Sequence, residues 1–267
     1  MEADDTNQLF DFWLPASITD RNPQLFSSIF DLLQNCDYAS AHSELKNDGS
    51  FTIGEVKLIR AAFSNNFLFK QQKEWSGHGI WRSFRFWSTQ EKIAYLSRAN
   101  NIISILECIS PNIAYGFGSV LGFVRDGDFI LHDDDMDLLV AFAPADISSY
   151  ALAKASLVKA LGASGLSVYN ENRTHFTVNG VDVFVGFIEQ DDSIAWFPSQ
   201  RNSNLFMNDV FPPRKIEIHG VEVKIPRNPE KYLEATYGKN WRVPDSGWQH
   251  PWDFREYQDY DNSTAPG

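Results

Sequence analysis

Cysteine is nearly absent, with only Cys36 and Cys108 in 267 residues. Two thiols cannot build a disulfide framework or a cysteine zinc cluster, so the chain reads as one from a reducing, interior compartment. Positive charge is also scarce. Lysine and arginine number 23 against 35 aspartates and glutamates, for a formal charge of -12 and a pI near 4.9. That balance argues against nonspecific affinity for nucleic acid or for an anionic membrane, whose usual footprint is basic. An anionic substrate would have to be met by a local basic pocket or a metal. Long apolar runs are missing as well, since none reaches the roughly 18 residues of a membrane span. The acidic start MEADDTNQ lacks the basic flank of a signal peptide. The expectation is a soluble, cytoplasmic protein with no integral membrane segment and no nucleic-acid partner. Nothing in the composition speaks to oligomeric state.

What is present suffices for a sizeable core: 43% of residues are hydrophobic and 14% aromatic. Residues 1–20 are polar and read as loosely ordered. From Asn22 to Cys36 the apolar residues Leu25, Phe26, Ile29, Phe30, Leu32 and Leu33 recur at helical spacing. Residues 37–87 mix short apolar runs with polar breaks, so 1–87 is taken as a partly helical N-terminal module of uncertain form. Ser88 followed by Glu91 is a capping box, and the helix it opens ends before Pro111. Ile113 to Phe117 reads as a strand, Gly118-Ser119 as a tight turn, SVLGFV as a short helix and Asp126-Gly127-Asp128 as a plain turn. Met136 to Phe142 is a buried strand, and a helix is expected from Ala145 to Leu161. Asn179-Gly180 and His219-Gly220 each separate two alternating runs, the signal of a hairpin. Asn228, Pro229 and Gly238 frame a last helix. This order predicts an α+β fold, a mixed sheet flanked by helices over about 88–240, within a domain taken as 88–267 that ends in an aromatic tail bearing Trp248 and Trp252.

Against the apolar run Leu138 to Phe142 stand four aspartates, Asp133, Asp134, Asp135 and Asp137. Residues two apart on a strand share a face, so Asp135 and Asp137 crowd each other. Their charges must be solvated, neutralised by a proton, or bridged by a cation. Asp182, bracketed by Val181 and Val183, stands on a later strand with the same half-buried pattern. Three carboxylates on neighbouring strands make a hard oxygen site for Mg²⁺ or Mn²⁺. An EF-hand opening at Asp133 is excluded, because Leu138 stands where the turn glycine belongs and Pro144 where the final glutamate does. The Gly118-Ser119 turn brings backbone N–H groups toward phosphate oxygens, and Arg125 follows as a bidentate phosphate donor. His132 and His175 are candidates for a base or phosphate donor, and Arg214 and Lys215 for diphosphate ligands.

The order of a Gly-Ser turn, an Asp-hydrophobic-Asp pair and a third strand aspartate resembles the nucleotidyltransferase fold of polymerase-beta-like enzymes. The segment GSVLGFVRDGDFILHDDDMDLLV is similar to the signature block of the LicD and fukutin family, and VEVKIPRNPEKYLEATYGKNW resembles that family's ending. The likeness covers about residues 112–241. Ser119 stands where the family commonly has threonine, and Leu131-His132 where it has Pro-Trp. The resemblance implies transfer of a phosphorylated alcohol, such as phosphocholine, ribitol phosphate or glycerol phosphate, from a CDP-activated donor to a glycan hydroxyl, with release of CMP. It also implies a setting in cell-surface polysaccharide synthesis in a bacterial cytoplasm. Asp135, Asp137 and Asp182 would be the metal ligands and catalytic residues. Gly118, Ser119, Arg125, His132, His175, Arg214 and Lys215 would be the substrate-binding residues. Two other readings stand beside it: a glycosyltransferase holding a sugar nucleotide through Asp135-x-Asp137, and a non-catalytic glycan-binding domain.

Overall fold

The computed structural model describes residues 10, 12–143, 145–147, 149–169, 171, 175–196, 205–245 and 248. The chain divides into two compact units, Met1–Trp87 with Leu131–Asp134, and Ser88–Ile130 with Asp135–Gly267.

The first unit is mainly helical: α1 (Ala16–Thr19), α2 (Pro23–Gln34), α3 (Tyr38–Asn47) and α4 (Ile53–Asn66), then a short hairpin of β1 (Glu74–Trp75) and β2 (Ile80–Trp81). Each longer helix begins where a side chain satisfies an otherwise orphan N–H. Asn22 caps α2 ahead of Pro23, Asp37 caps α3, and Thr52 with Glu55 forms a capping box on α4. Their inner faces build an aromatic core around Phe26, Phe30 and Phe63. Within the first 20 residues, expected to be loose, Phe10, Leu14 and Ile18 are buried in this core. Residues 1–9 and 11 lie outside the described residues. The segment Leu131–Asp134 is fastened within this unit, because its carbonyls at Asp133 and Leu131 accept the N–H groups of Phe84 and Arg85, both at 2.8 Å.

The second unit is α+β. It runs α5 (Thr89–Leu106), β3 (Ile113–Tyr115), α6 (Phe117–Arg125), β4 (Met136–Phe142), α7 (Tyr150–Ala163), β5 (Val168–Tyr169), β6 (His175–Val178), β7 (Val181–Ile188) and β8 (Ile194–Trp196). Then come α8 (Met207–Val210), β9 (Arg214–Ile218), β10 (Val221–Ile225) and α9 (Pro229–Tyr237). One sheet has the order β3-β4-β7-β6-β5, with β8 also pairing with β7. The β4–β7 pair is parallel and the others antiparallel, so the sheet is mixed. Strands β4 and β7 are apolar nearly throughout, as central strands covered on both faces must be. In each, the second residue, Asp137 or Asp182, is the one not fully buried. The hairpin β9–β10 forms its own two-stranded sheet, turning at His219 and Gly220 with φ of 50° and 78°.

Two boundaries differ from expectation. The strand before Gly118 ends at Tyr115 rather than Phe117, and α6 begins at Phe117, so Gly118-Ser119 lies inside the first helical turn. The helix after β4 starts at Tyr150, where the Ser149 hydroxyl accepts the Leu152 N–H and sets the start. Trp241 is buried, and Trp248 packs on Tyr237 at 4.7 Å. The rest of the aromatic tail, with Trp252, lies outside the described residues. Among the described residues no helix is long and apolar enough to cross a membrane.

Candidate functional site

Strand register assembles the site. Asp137 of β4 is the register partner of Asp182 of β7, and Asp182 is that of Thr177 on β6. Register partners point to the same face, so Asp137, Asp182 and Thr177 form one row across three strands. Leu139, Phe184 and His175 form the next row. Asp135 precedes β4 by one residue and is half-buried, as are the other two aspartates.

Over the second row sits the start of α6. Gly116, its N-cap, has no room for a side chain, because a Cβ there would stand 2.4 Å from Leu139 Cγ. Phe117 takes φ of 37°, in the left-handed region, and its ring meets Phe184 edge-on at 4.8 Å. Close approach lets the helix start hold Asp137 from three directions. The Gly116 N–H donates to the Asp137 carbonyl at 3.0 Å, the Gly118 N–H to its Oδ2 at 3.2 Å, and the Asp137 N–H donates to Ser119 Oγ at 3.0 Å. The Tyr232 hydroxyl from α9 accepts the Phe117 N–H at 3.0 Å. Burial first, and the charge of Asp137 after it, push the Tyr232 phenol well above its ordinary range.

Asp182 is gripped from β6. The Thr177 hydroxyl donates to Oδ1 at 2.6 Å, and His175 Nε2 lies 3.3 Å from Oδ2. Beside the cluster, on α5, is Tyr95. Its buried hydroxyl donates to the Gly180 carbonyl. Burial raises its pKa far above the usual value, and the charges of Asp135, Asp182 and Asp137 raise it further, in that order. One phenol thus feels the charge of all three carboxylates. Such a trio of hard oxygen donors fits a divalent cation.

The remaining candidates are placed elsewhere. Arg125 ends α6, eight residues after Phe117 and so about 12 Å along the axis, where it forms a two-bond pair with Asp126 at 2.9 and 2.8 Å. Arg214 and Lys215 stand exposed on the separate hairpin, and Lys215 is paired with Glu222 at 2.7 Å. His132 is exposed and belongs to the segment that goes with the first unit. Asp128, expected to be a mere turn residue, binds buried Lys92 at 2.9 and 2.8 Å and His219 at 2.7 Å.

Three site residues escaped the sequence reading: Thr177, Tyr95 and Tyr232. Thr177 was within reach. A two-residue turn at Asn179-Gly180 pairs Val178 with Val181, and therefore Thr177 with Asp182. Tyr95 and Tyr232 carry no local signal, since each is an aromatic residue on an amphipathic helix.

Residues 114–228 match the family model described as LicD/FKTN/FKRP, nucleotidyltransferase domain. The match takes in the α6 start and all three aspartates but neither Tyr95 nor Tyr232. No curated protein matches the chain.

Proposed function

We propose, from the premise that residues 114–228 are a LicD/FKTN/FKRP nucleotidyltransferase domain, that the chain transfers a phosphorylated alcohol from a CDP-activated donor to a glycan hydroxyl and releases CMP. The observation that carries this reading is the register pairing of Asp137 with Asp182 on adjacent parallel strands, with Asp135 two residues upstream of Asp137. A Mg²⁺ or Mn²⁺ ion held by Asp135, Asp137 and Asp182 would neutralise a diphosphate and the charge that builds on the leaving oxygen.

The chain's own residues supply position and proton handling. The first-turn N–H groups of α6 are taken up by Asp137 and Tyr232, so this end positions the Asp137 carboxylate, and Ser119 and Tyr232 hold it in place. The acceptor hydroxyl oxygen attacks the phosphorus distal to the cytidine. The bond from that phosphorus to the bridging oxygen breaks, and CMP leaves with the electron pair. The hydroxyl proton passes to the Asp182–His175 pair, whose separation of 3.3 Å lets either partner share it.

The test is incubation of the purified protein with CDP-choline, CDP-ribitol or CDP-glycerol, candidate glycans and Mg²⁺ or Mn²⁺, following CMP. One donor should yield CMP in a reaction stopped by EDTA. Asp135→Ala and Asp137→Ala should each lower turnover by more than about 100-fold with the fold intact, since loss of even an outer-sphere metal partner costs 10- to 100-fold. Unaltered turnover in both variants, or release of UDP or GDP from sugar nucleotides instead of CMP, would overturn the assignment.

A further inference from the structure

We infer that Tyr95 and Tyr169 are positioning residues that clamp the Asn179–Gly180 turn from two sides and so brace the end of β7 that carries Asp182. The inference rests on reading Asp135, Asp137 and Asp182 as a metal site.

The turn is the only covalent link between β6 and β7, the strands that carry Thr177 and Asp182. Both its residues have positive φ, 51° at Asn179 and 81° at Gly180. That geometry suits a tight hairpin, and asparagine followed by glycine is the pair that adopts it most readily. Hydroxyls satisfy the two backbone groups of Gly180. The Tyr95 O–H donates to its carbonyl, and its N–H donates to the Tyr169 hydroxyl at 2.8 Å. The two tyrosines come from different elements, α5 and β5, so the turn is fixed to both the helix and the strand next to β6.

Tyr95 is itself held firmly. Its ring stacks on Phe129 at 6.4 Å and 18°, with the Arg98 guanidinium 5.1 Å over the ring. Phe129 in turn stacks on His219 at 6.3 Å and 23°. The hydroxyl therefore reaches Gly180 from a packed base. Asp182 lies two residues past that carbonyl. The β4–β7 ladder pairs Asp182 with Asp137, and only the Met136–Val181 pair lies between that rung and the turn, so a loosened turn would fray the ladder at this rung first.

Tyr95→Phe and Tyr169→Phe each keep the ring and remove the hydroxyl. The control is Tyr115→Phe, which removes a buried hydroxyl bonded to Asn100 Oδ1 at 3.1 Å and the Leu96 carbonyl at 3.4 Å, both on α5, but not to the turn. Two readouts are taken on the full chain. Amide hydrogen exchange without metal should quicken about fivefold to tenfold over residues 178–183 in the first two variants and not in Tyr115→Phe. Mn²⁺ affinity, read by electron paramagnetic resonance titration, should fall about tenfold in the first two and stay level in the control. Wild-type Mn²⁺ affinity in both clamp variants, or unchanged exchange at the turn, would overturn the inference. If the wild-type chain binds no Mn²⁺, the metal-site reading fails, and exchange alone then decides whether the tyrosines fix the turn.

Discussion

At the residue scale, the closest constraint on the site is the missing side chain of Gly116. A methyl group there would overlap Leu139, which is fully buried and has no open side to rotate into. Gly116→Ala is therefore an overpacking change, expected to cost about 1–3 kcal/mol in urea unfolding. It should also lift the Gly118 N–H from Asp137 and weaken Mn²⁺ binding. The same substitution at Gly162, inside α7 with open space around it, should stabilise by about 0.5–1 kcal/mol through helix propensity alone. If the two alanine variants behave alike, the close approach of α6 to β4 is not what holds the turn. The need for glycine at 116 was not visible in the sequence, since it arises from Leu139, 23 residues away. The acid pair was visible, because Asp135 and Asp137 stand next to an apolar run that can be nothing but a buried strand.

At the element scale, Asp128 ties three pieces together: α5 through Lys92, its own loop through the Phe129 N–H at 2.7 Å, and the β9–β10 turn through His219. Burial alone would raise its carboxyl pKa, but the bonds from Lys92, His219 and Phe129 outweigh it and hold the group below its usual range. A depressed folded pKa means that the stabilisation is complete above the unfolded carboxylate range and fades as pH falls through the folded value. Asp128→Asn should cost about 2–3 kcal/mol at pH 7, because Lys92 stays buried without its counter-charge while Asp128 itself is a third exposed. The gap between wild type and variant should narrow between about pH 7 and about pH 3, as the pH approaches the depressed folded value of the carboxyl. Urea midpoints at the two pH values check this, and a gap independent of pH would remove the ion pair from the account. Elements themselves were legible in proportion to their caps. Ser88-x-x-Glu91 marks the start of α5, and both hairpins turn where Asn179-Gly180 and His219-Gly220 indicate. The equivalent Thr52-x-x-Glu55 signal opens α4, but short apolar runs on both sides blur the helical period there. Long-range ties such as Lys92 to Asp128 leave no local trace at all.

At the scale of the whole molecule, a net charge of -12 means that nothing general in the surface attracts a nucleoside diphosphate, so under the proposed function capture would depend on a bound cation. The path of the chain adds a second constraint. Residues 88–130 belong to the second unit, Leu131–Asp134 return to the first, and Asp135 opens the second again. A break between 87 and 88 therefore does not part the sequence into two self-contained halves. A fragment of residues 88–267 lacks the Phe84 and Arg85 N–H groups that hold the carbonyls of Asp133 and Leu131, and it lacks His78, whose Nδ1 lies 3.5 Å from Asp134. The central strands β4 and β7 keep their own ladder in such a fragment. Amide exchange should then show β4 and β7 protected as in the full chain, while 131–134 exchange at rates near those of an unstructured segment. Protection of 131–134 in the fragment would assign that segment to the second unit. Loss of protection in β4 and β7 would mean instead that the sheet cannot stand without residues 1–87.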